Sequence, residues 1–269
     1  MDFFIHEILE DEEIRAGMLR EPNLYPQAEG LADAIRAGER PPLAPGMLPL
    51  YVLAHLADSA LCINTERGIA REVTIASLKD VNLWIANHRL LYNAPGVMEF
   101  HWLVNHYTGV LFRLGRLQFA LAQAGHGVPG EWMIETHIPQ GEPLREADCL
   151  LSFRTAAEFF ARHFPQQKAD YFQCHSWLLN PHLAELLDAQ SNLVRFMRLW
   201  TILHMDPDDS AQAIERVFGF HFRREQLADA PEHTTLQRML KHHLLSGASL
   251  DTAVGCRRIP ELSPQMKKD

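Results

Sequence analysis

Two histidines stand near the ends of two apolar, strand-like runs: His137 in residues 132–138 and His175 in residues 171–178. Imidazole is the side chain most readily tuned to take a proton near neutral pH, which an amine must lose when it attacks a carbonyl. Neighbouring parallel strands lie about 4.8 Å apart, so side chains at two such ends can line one cleft. The plainer use of the same histidines is a hydrogen bond to a turn backbone. Cys174 and Ser176 flank His175, and adjacent strand residues face opposite ways. Cys174 and His175 are therefore not a side-by-side nucleophile and base, and Cys174 reads as an apolar core thiol.

Between the two runs lies Pro139-Gln140-Gly141-Glu142-Pro143, in a strand-to-helix turn. Helix starts carry unpaired N–H groups and a positive dipole end, which suit a phosphate. Glu142 opposes that use, and Pro143 offers no N–H. Other chemistries lack their residues. Fifteen histidines contain no HExxH; His242 and His243 are adjacent, and His101 and His106 are five apart. Cys62, Cys149, Cys174 and Cys256 form no CxxC, so neither a metal nor a disulfide framework is expected. GxxxxGK[ST], GxGxxG and GxSxG are absent. Arg113 and Arg116 read as solvated strand charges.

These positions need a strand–helix–strand unit to hold them. Cys149, Leu150, Phe153, Ala156, Ala157, Phe160 and Phe164 recur at helical spacing between the two runs, with Pro143 in the first turn. Such a unit makes its strands parallel with a right-handed crossover, and ligands bind beyond their carboxyl ends. Upstream, 111–122 partly alternates, a glycine-rich turn follows at 125–130, and 132–138 completes a β-hairpin. Residues 1–92 read as helical, interrupted by the prolines of 39–49, with Ser77 and Asp80 as a capping-box-like start. Asn93-Ala94-Pro95-Gly96 marks a domain boundary, and a helix follows over 97–107. Downstream the pattern predicts a short helix at 181–187 and a strand at 193–203. A helix capped by Asp209 and Gln212 stops at Gly219, and one capped by Thr234 and Gln237 stops at Gly247. The expected division is helical 1–95, an α/β domain over 96–258 and a frayed tail at 259–269 that includes Pro264 and Lys267-Lys268.

The 269 residues, 47% hydrophobic and 22% charged, suit a soluble globular protein. A net charge of −9 disfavours nucleic-acid or acidic-membrane partners. The first fifteen residues lack the basic start of a signal peptide, and no apolar run reaches the roughly 20 residues of a membrane span. A cytoplasmic location is expected; the oligomeric state is not set by the sequence.

FRLGRLQF (112–119), HIPQGEPL (137–144), CHSWLLNP (174–181), SNLVRF (191–196) and TTLQR (234–238) resemble a bacterial acyltransferase-like family with a helical N-terminal domain and a GNAT-like C-terminal domain. The likeness runs from about residue 1 to 256. It implies an α/β (α+β) fold and direct transfer of an acyl group from acyl-CoA or acetyl-CoA, without a metal. The acceptor would be an amine or similar nucleophile on a small molecule. By resemblance, Glu135, Thr136, His137 and Ile138 lie along the donor, with Gln140, Gly141 and Arg145 at its pyrophosphate. His137 or His175 would take the acceptor's proton, and Ser176 would protonate the leaving thiolate. The chain departs from the usual RxxGxG/A loop, having PQGEPLRE instead. The alternative reading is a catalytically silent GNAT-like module that binds a ligand or partner.

Overall fold

The computed structural model describes residues 1–20 and 22–260, so the expected tail is testable only at Ile259 and Pro260, and Pro264 and Lys267-Lys268 lie outside the described residues. The chain divides into two compact units, Met1–Leu114 and Gly115–Asp269.

The first unit is helical up to its last strand. Its elements are α1 (Glu12–Arg20), α2 (Tyr25–Arg36), α3 (Leu48–Glu66), α4 (Arg71–Leu78), α5 (Asp80–Tyr92), α6 (Phe100–Tyr107) and β1 (Leu111–Leu114). α3 is the central helix. It buries Leu50, Leu53, Ala54 and Ala57 as their spacing predicts, and also Tyr51, Val52 and Leu56, as a helix apolar on most sides must. Ser77 does not open a helix. It lies inside α4, where its hydroxyl donates to the Val73 carbonyl (2.7 Å) and accepts the Arg113 amide (2.9 Å). The expected boundary at 93–96 falls within this unit. Gly96 lies so close to Gly46 that a Cβ would sit 2.8 Å from the Gly46 Cα, and Gly46 pairs with Val97.

The second unit contains β2 (Leu117–Gln123), β3 (Trp132–His137), α7 (Glu146–His163), β4 (Ala169–Ser176), α8 (Leu183–Leu186), α9 (Asn192–Met197), β5 (Thr201–Asp206), α10 (Ala211–Phe218), α11 (Thr235–Leu245) and β6 (Thr252–Arg258). Its strands run in the order β2-β3-β4-β6-β5. β3 and β4 are parallel, and the other neighbours are antiparallel. The strand–helix–strand unit is thus as expected. α7 crosses it with Phe153 packed on Phe119 and Phe172, at centroid distances of 5.9 and 4.9 Å. The chain has the α/β class the sequence implied, helical first and mixed sheet second.

Several local expectations are corrected. α7 starts at Glu146, and Pro143 lies outside it because Arg145 is still extended. The span 193–203 is not one strand: Ser191 accepts the Val194 amide and caps α9, and β5 begins only at Thr201. Asp208, not Asp209, takes the Gln212 amide at 2.9 Å, because Asp209 and Ser210 are both left-handed. Strand β6 was not anticipated; it inserts between β4 and β5 and holds Ile259 to the Asp170 carbonyl at 2.8 Å. The Thr234–Gln237 capping box forms with both bonds at 3.1 Å. Among the described residues no helix is long and apolar enough to cross a membrane.

Candidate functional site: a wedge between two parallel strands

The parallel ladder pairs Ile134 with Phe172 and Glu135 with Gln173 and goes no further, although β3 runs on to His137 and β4 to Ser176. The outer edges stay paired. Thr136 and His137 pair with Phe119 and Gln118 of β2, and Cys174, His175 and Ser176 pair with Gly255, Val254 and Ala253 of β6. The ladder between the two strands therefore stops short of their carboxyl ends, where they part. Thr136 sits on this stretch, 3% exposed, and its Oγ1 has no hydrogen-bond partner.

His175 is braced at one nitrogen. Its Nε2 lies 3.0 Å from Asp206 Oδ2 and 3.0 Å from Thr252 Oγ1. The Thr252 hydroxyl gives its only proton to the Asp206 carbonyl at 2.7 Å, so towards His175 it accepts. Nε2 therefore carries a proton, and the lone pair of the neutral ring is on Nδ1. β5 and β6 supply both braces. On the same side, His126 places its ring 6.1 Å from His175 and 6.3 Å from His204. His137 Nε2 is 3.7 Å from Glu135 Oε2. The His137 imidazole holds the Glu135 carboxyl below its usual range; burial opposes this and His126 adds to it. No group of three or more ligating side chains among the described residues can hold a metal ion.

The neighbours of His175 face the other way. Burial pushes the Cys174 thiol far above the ordinary thiol range, so a thiolate nucleophile is not available there. The Ser176 hydroxyl is buried and accepts the Leu178 amide at 3.2 Å, capping the short turn Trp177–Leu179. The buried Trp177 gives its amide to Gln212 Oε1 at 3.0 Å.

The loop after β3 has Ile138 half-buried, while Gln140, Gly141, Glu142 and Arg145 are exposed. Gly141 has φ +119°, a conformation few other residues tolerate. Arg145 stands 3.8 Å from Asp148, and Glu142 turns to solvent. Arg116 overturns its expectation as a solvated charge. It is only 9% exposed, and its guanidinium donates to the carbonyls of Glu142 (2.8 Å), Pro143 (3.3 Å) and Pro139 (3.0 Å).

The structure thus brings His175 together with Asp206, Thr252, His126 and His204, and His137 with Glu135; it does not bring Ser176 to their face. Sequence reasoning missed Asp206, Thr252, His126, His204 and Arg116. One signal was available: Asp206 closes the apolar run of β5 as His137 closes that of β3.

A helical unit followed by a mixed sheet whose central parallel pair parts at its carboxyl ends is the arrangement of GNAT-like proteins. The chain belongs to the N-acyltransferase family with a GNAT-like C-terminal domain: residues 5–109 match the N-acyltransferase N-terminal domain and residues 111–257 the GNAT-like C-terminal domain. This agrees with the resemblance drawn from its motifs. No curated protein matches the chain. Among solved structures it is similar to an acyltransferase in complex with decanoyl-CoA and teicoplanin, with 31% identity and TM-score 0.73 over 79% of this chain and 66% of that one. An acyltransferase in complex with CoA and 10C-teicoplanin shows 30% identity and TM-score 0.73 over the same shares. An acyltransferase mutant in complex with octanoyl-CoA is 26% identical, with TM-score 0.81 over 96% of this chain and 86% of that one. The chain therefore spans just under two thirds of the length of the first two.

Proposed function

We propose that this protein transfers an acyl group from acyl-CoA directly to an amine or similar nucleophile of a small-molecule acceptor. The observation that carries the reading is the wedge between β3 and β4, with a braced imidazole, His175, at its open end. The solved relatives that hold octanoyl-CoA, decanoyl-CoA and teicoplanin support it, and make medium-chain thioesters the first donors to test.

In this reading the donor lies along β3, where amides beyond the end of the ladder polarise the thioester carbonyl as an oxyanion hole does. The acceptor amine attacks that carbonyl from the wedge. Nδ1 of His175 takes the amine proton, and Asp206 and Thr252 hold the ring by Nε2 so that the positive charge formed is stabilised. His137, beside Glu135, is the second base on the same path. The C–S bond then breaks, and the departing thiolate takes a proton. The imidazolium formed at His175 returns its proton to that thiolate, while Ser176, on the opposite face of β4, caps the turn at Leu178. Ile138, Gln140, Gly141 and Arg145 receive the pyrophosphate. Arg145, mostly solvent-exposed, can swing from Asp148 to a phosphate oxygen.

The test is release of free thiol from octanoyl- or decanoyl-CoA in the presence of amine acceptors, teicoplanin among them, with the product mass read alongside. Thiol release that requires both protein and acceptor, with an acceptor heavier by one acyl group, is the expected result. If neither thioester raises the melting temperature by mass action nor is consumed, the enzyme reading fails and a silent binding module remains.

A further inference from the structure

We propose that Arg116 is the positioning residue of the pyrophosphate loop, folding five residues from outside so that they can bind an anion. The proposal rests on the acyl-CoA reading above. Left to itself, Pro139-Gln140-Gly141-Glu142-Pro143 is poorly equipped for a phosphate. Two of its residues have no N–H to offer, and a third carries a carboxylate.

Arg116 changes that in two ways. First, it collects the carbonyls of Pro139, Glu142 and Pro143 on one guanidinium. In a trans peptide the C=O of one residue and the N–H of the next point in opposite directions. Drawing the Pro139 and Pro143 carbonyls inward therefore turns the Gln140 and Leu144 amides outward, to the side where a ligand must lie. Second, the buried guanidinium is a permanent positive charge directly beneath the loop, where screening is weak. It offsets the Glu142 carboxylate, which faces solvent.

The arginine is itself fixed from behind. Its amide donates to Ser152 Oγ at 2.8 Å, and that hydroxyl donates to the Asp148 carbonyl in the first turn of α7 at 2.9 Å. Gly115, with φ +75°, lets the turn come this close: a Cβ there would sit 2.7 Å from Ser152 Oγ. One residue, by its amide and its guanidinium, thus ties a β-turn, the start of α7 and the loop together. This is a role a solvated strand charge does not have.

The experiment compares two donors on wild type, Arg116→Gln and Arg116→Lys: octanoyl-CoA, and octanoyl-pantetheine, which lacks the pyrophosphate. Arg116→Gln should raise KM for octanoyl-CoA by tenfold or more, with the loss on KM rather than kcat. Octanoyl-pantetheine should be used by this variant within twofold of wild type. Arg116→Lys, which keeps the charge but not the three-point grip, should fall between them. If Arg116→Gln does not fold, Ser152→Ala decides, because it loosens the arginine's mount without touching the guanidinium. Losing that one hydrogen bond should raise KM for octanoyl-CoA about two- to fivefold and spare octanoyl-pantetheine. Equal loss of both donors, or no loss of either, makes Arg116 structural and overturns the proposal. Wild type that binds no coenzyme A at all defeats the acyl-CoA reading itself, and that is seen before any variant is made.

Discussion

The helical unit and the sheet unit each contain a histidine facing an aspartate, under opposite conditions. In the first, His106 Nε2 lies 3.5 Å from Asp80 Oδ2, and the two side chains are 0% and 3% exposed. The carboxylate also accepts the indole N–H groups of Trp84 (3.0 Å) and Trp102 (3.2 Å), while His106 Nδ1 donates to the Leu111 carbonyl (3.0 Å). In the second, His175 and Asp206 are 3.0 Å apart and 38% and 50% exposed. In the sealed pair the two indoles hold the carboxylate and the Leu111 carbonyl holds the imidazole, with both side chains shut off from solvent. The open pair keeps one imidazole nitrogen for a newcomer. Burial, not residue type, separates a structural imidazole–carboxylate contact from one able to move a proton.

The largest effect should come from the open pair. His175→Gln should lower turnover with octanoyl-CoA by about 10²- to 10⁴-fold, with the melting temperature nearly unchanged. His137→Gln, assayed in parallel at saturating donor and acceptor, tells which strand-end histidine is the base. If neither variant lowers turnover tenfold, the base lies elsewhere and the open pair is as structural as the sealed one.

Next in size is the sealed pair. Asp80→Ala leaves the indole N–H groups of Trp84 and Trp102 without this acceptor, and stranding a buried donor costs about 1–3 kcal/mol. Chemical denaturation should show that loss. A change below about 1 kcal/mol, the scale of an exposed pair, would erase the distinction drawn here.

The smallest effect concerns Glu135, whose carboxyl is held below its ordinary 4.5 chiefly by His137. A carboxyl lowered in the folded state adds stability above its unfolded pKa, and that stability is lost as pH falls through the lower folded value. Glu135→Gln should therefore reduce the melting temperature by about 1–2 °C near pH 6, since the group is one-third exposed, and leave it unchanged near pH 2. An equal reduction at both pH values would mean that the substitution removes packing rather than charge.

How much of this could be read in advance differs from element to element. The α7 crossover was legible because its apolar residues recur on one face and its flanking runs have strand length. The Thr234–Gln237 box was legible because both of its bonds are local. The strand at 193–203 was misjudged because Ser191, a single hydroxyl, turns its first half into α9. Strand β6 escaped because a short run gains its identity from partners, and its partners β4 and β5 lie far upstream.

The site divides along the same line. Sequence alone determined that His137 and His175 end two strands of one parallel unit, and that Gly141 lies in the turn between strand and helix, because periodicity and spacing act over a few residues. Only the tertiary structure decided that Thr252 meets His175 across 77 residues, that Asp206 joins them, and that Arg116 lies buried under a loop it was not expected to touch. Those contacts depend on which strand inserts where. That choice is made by the whole core at once, and no local pattern records it.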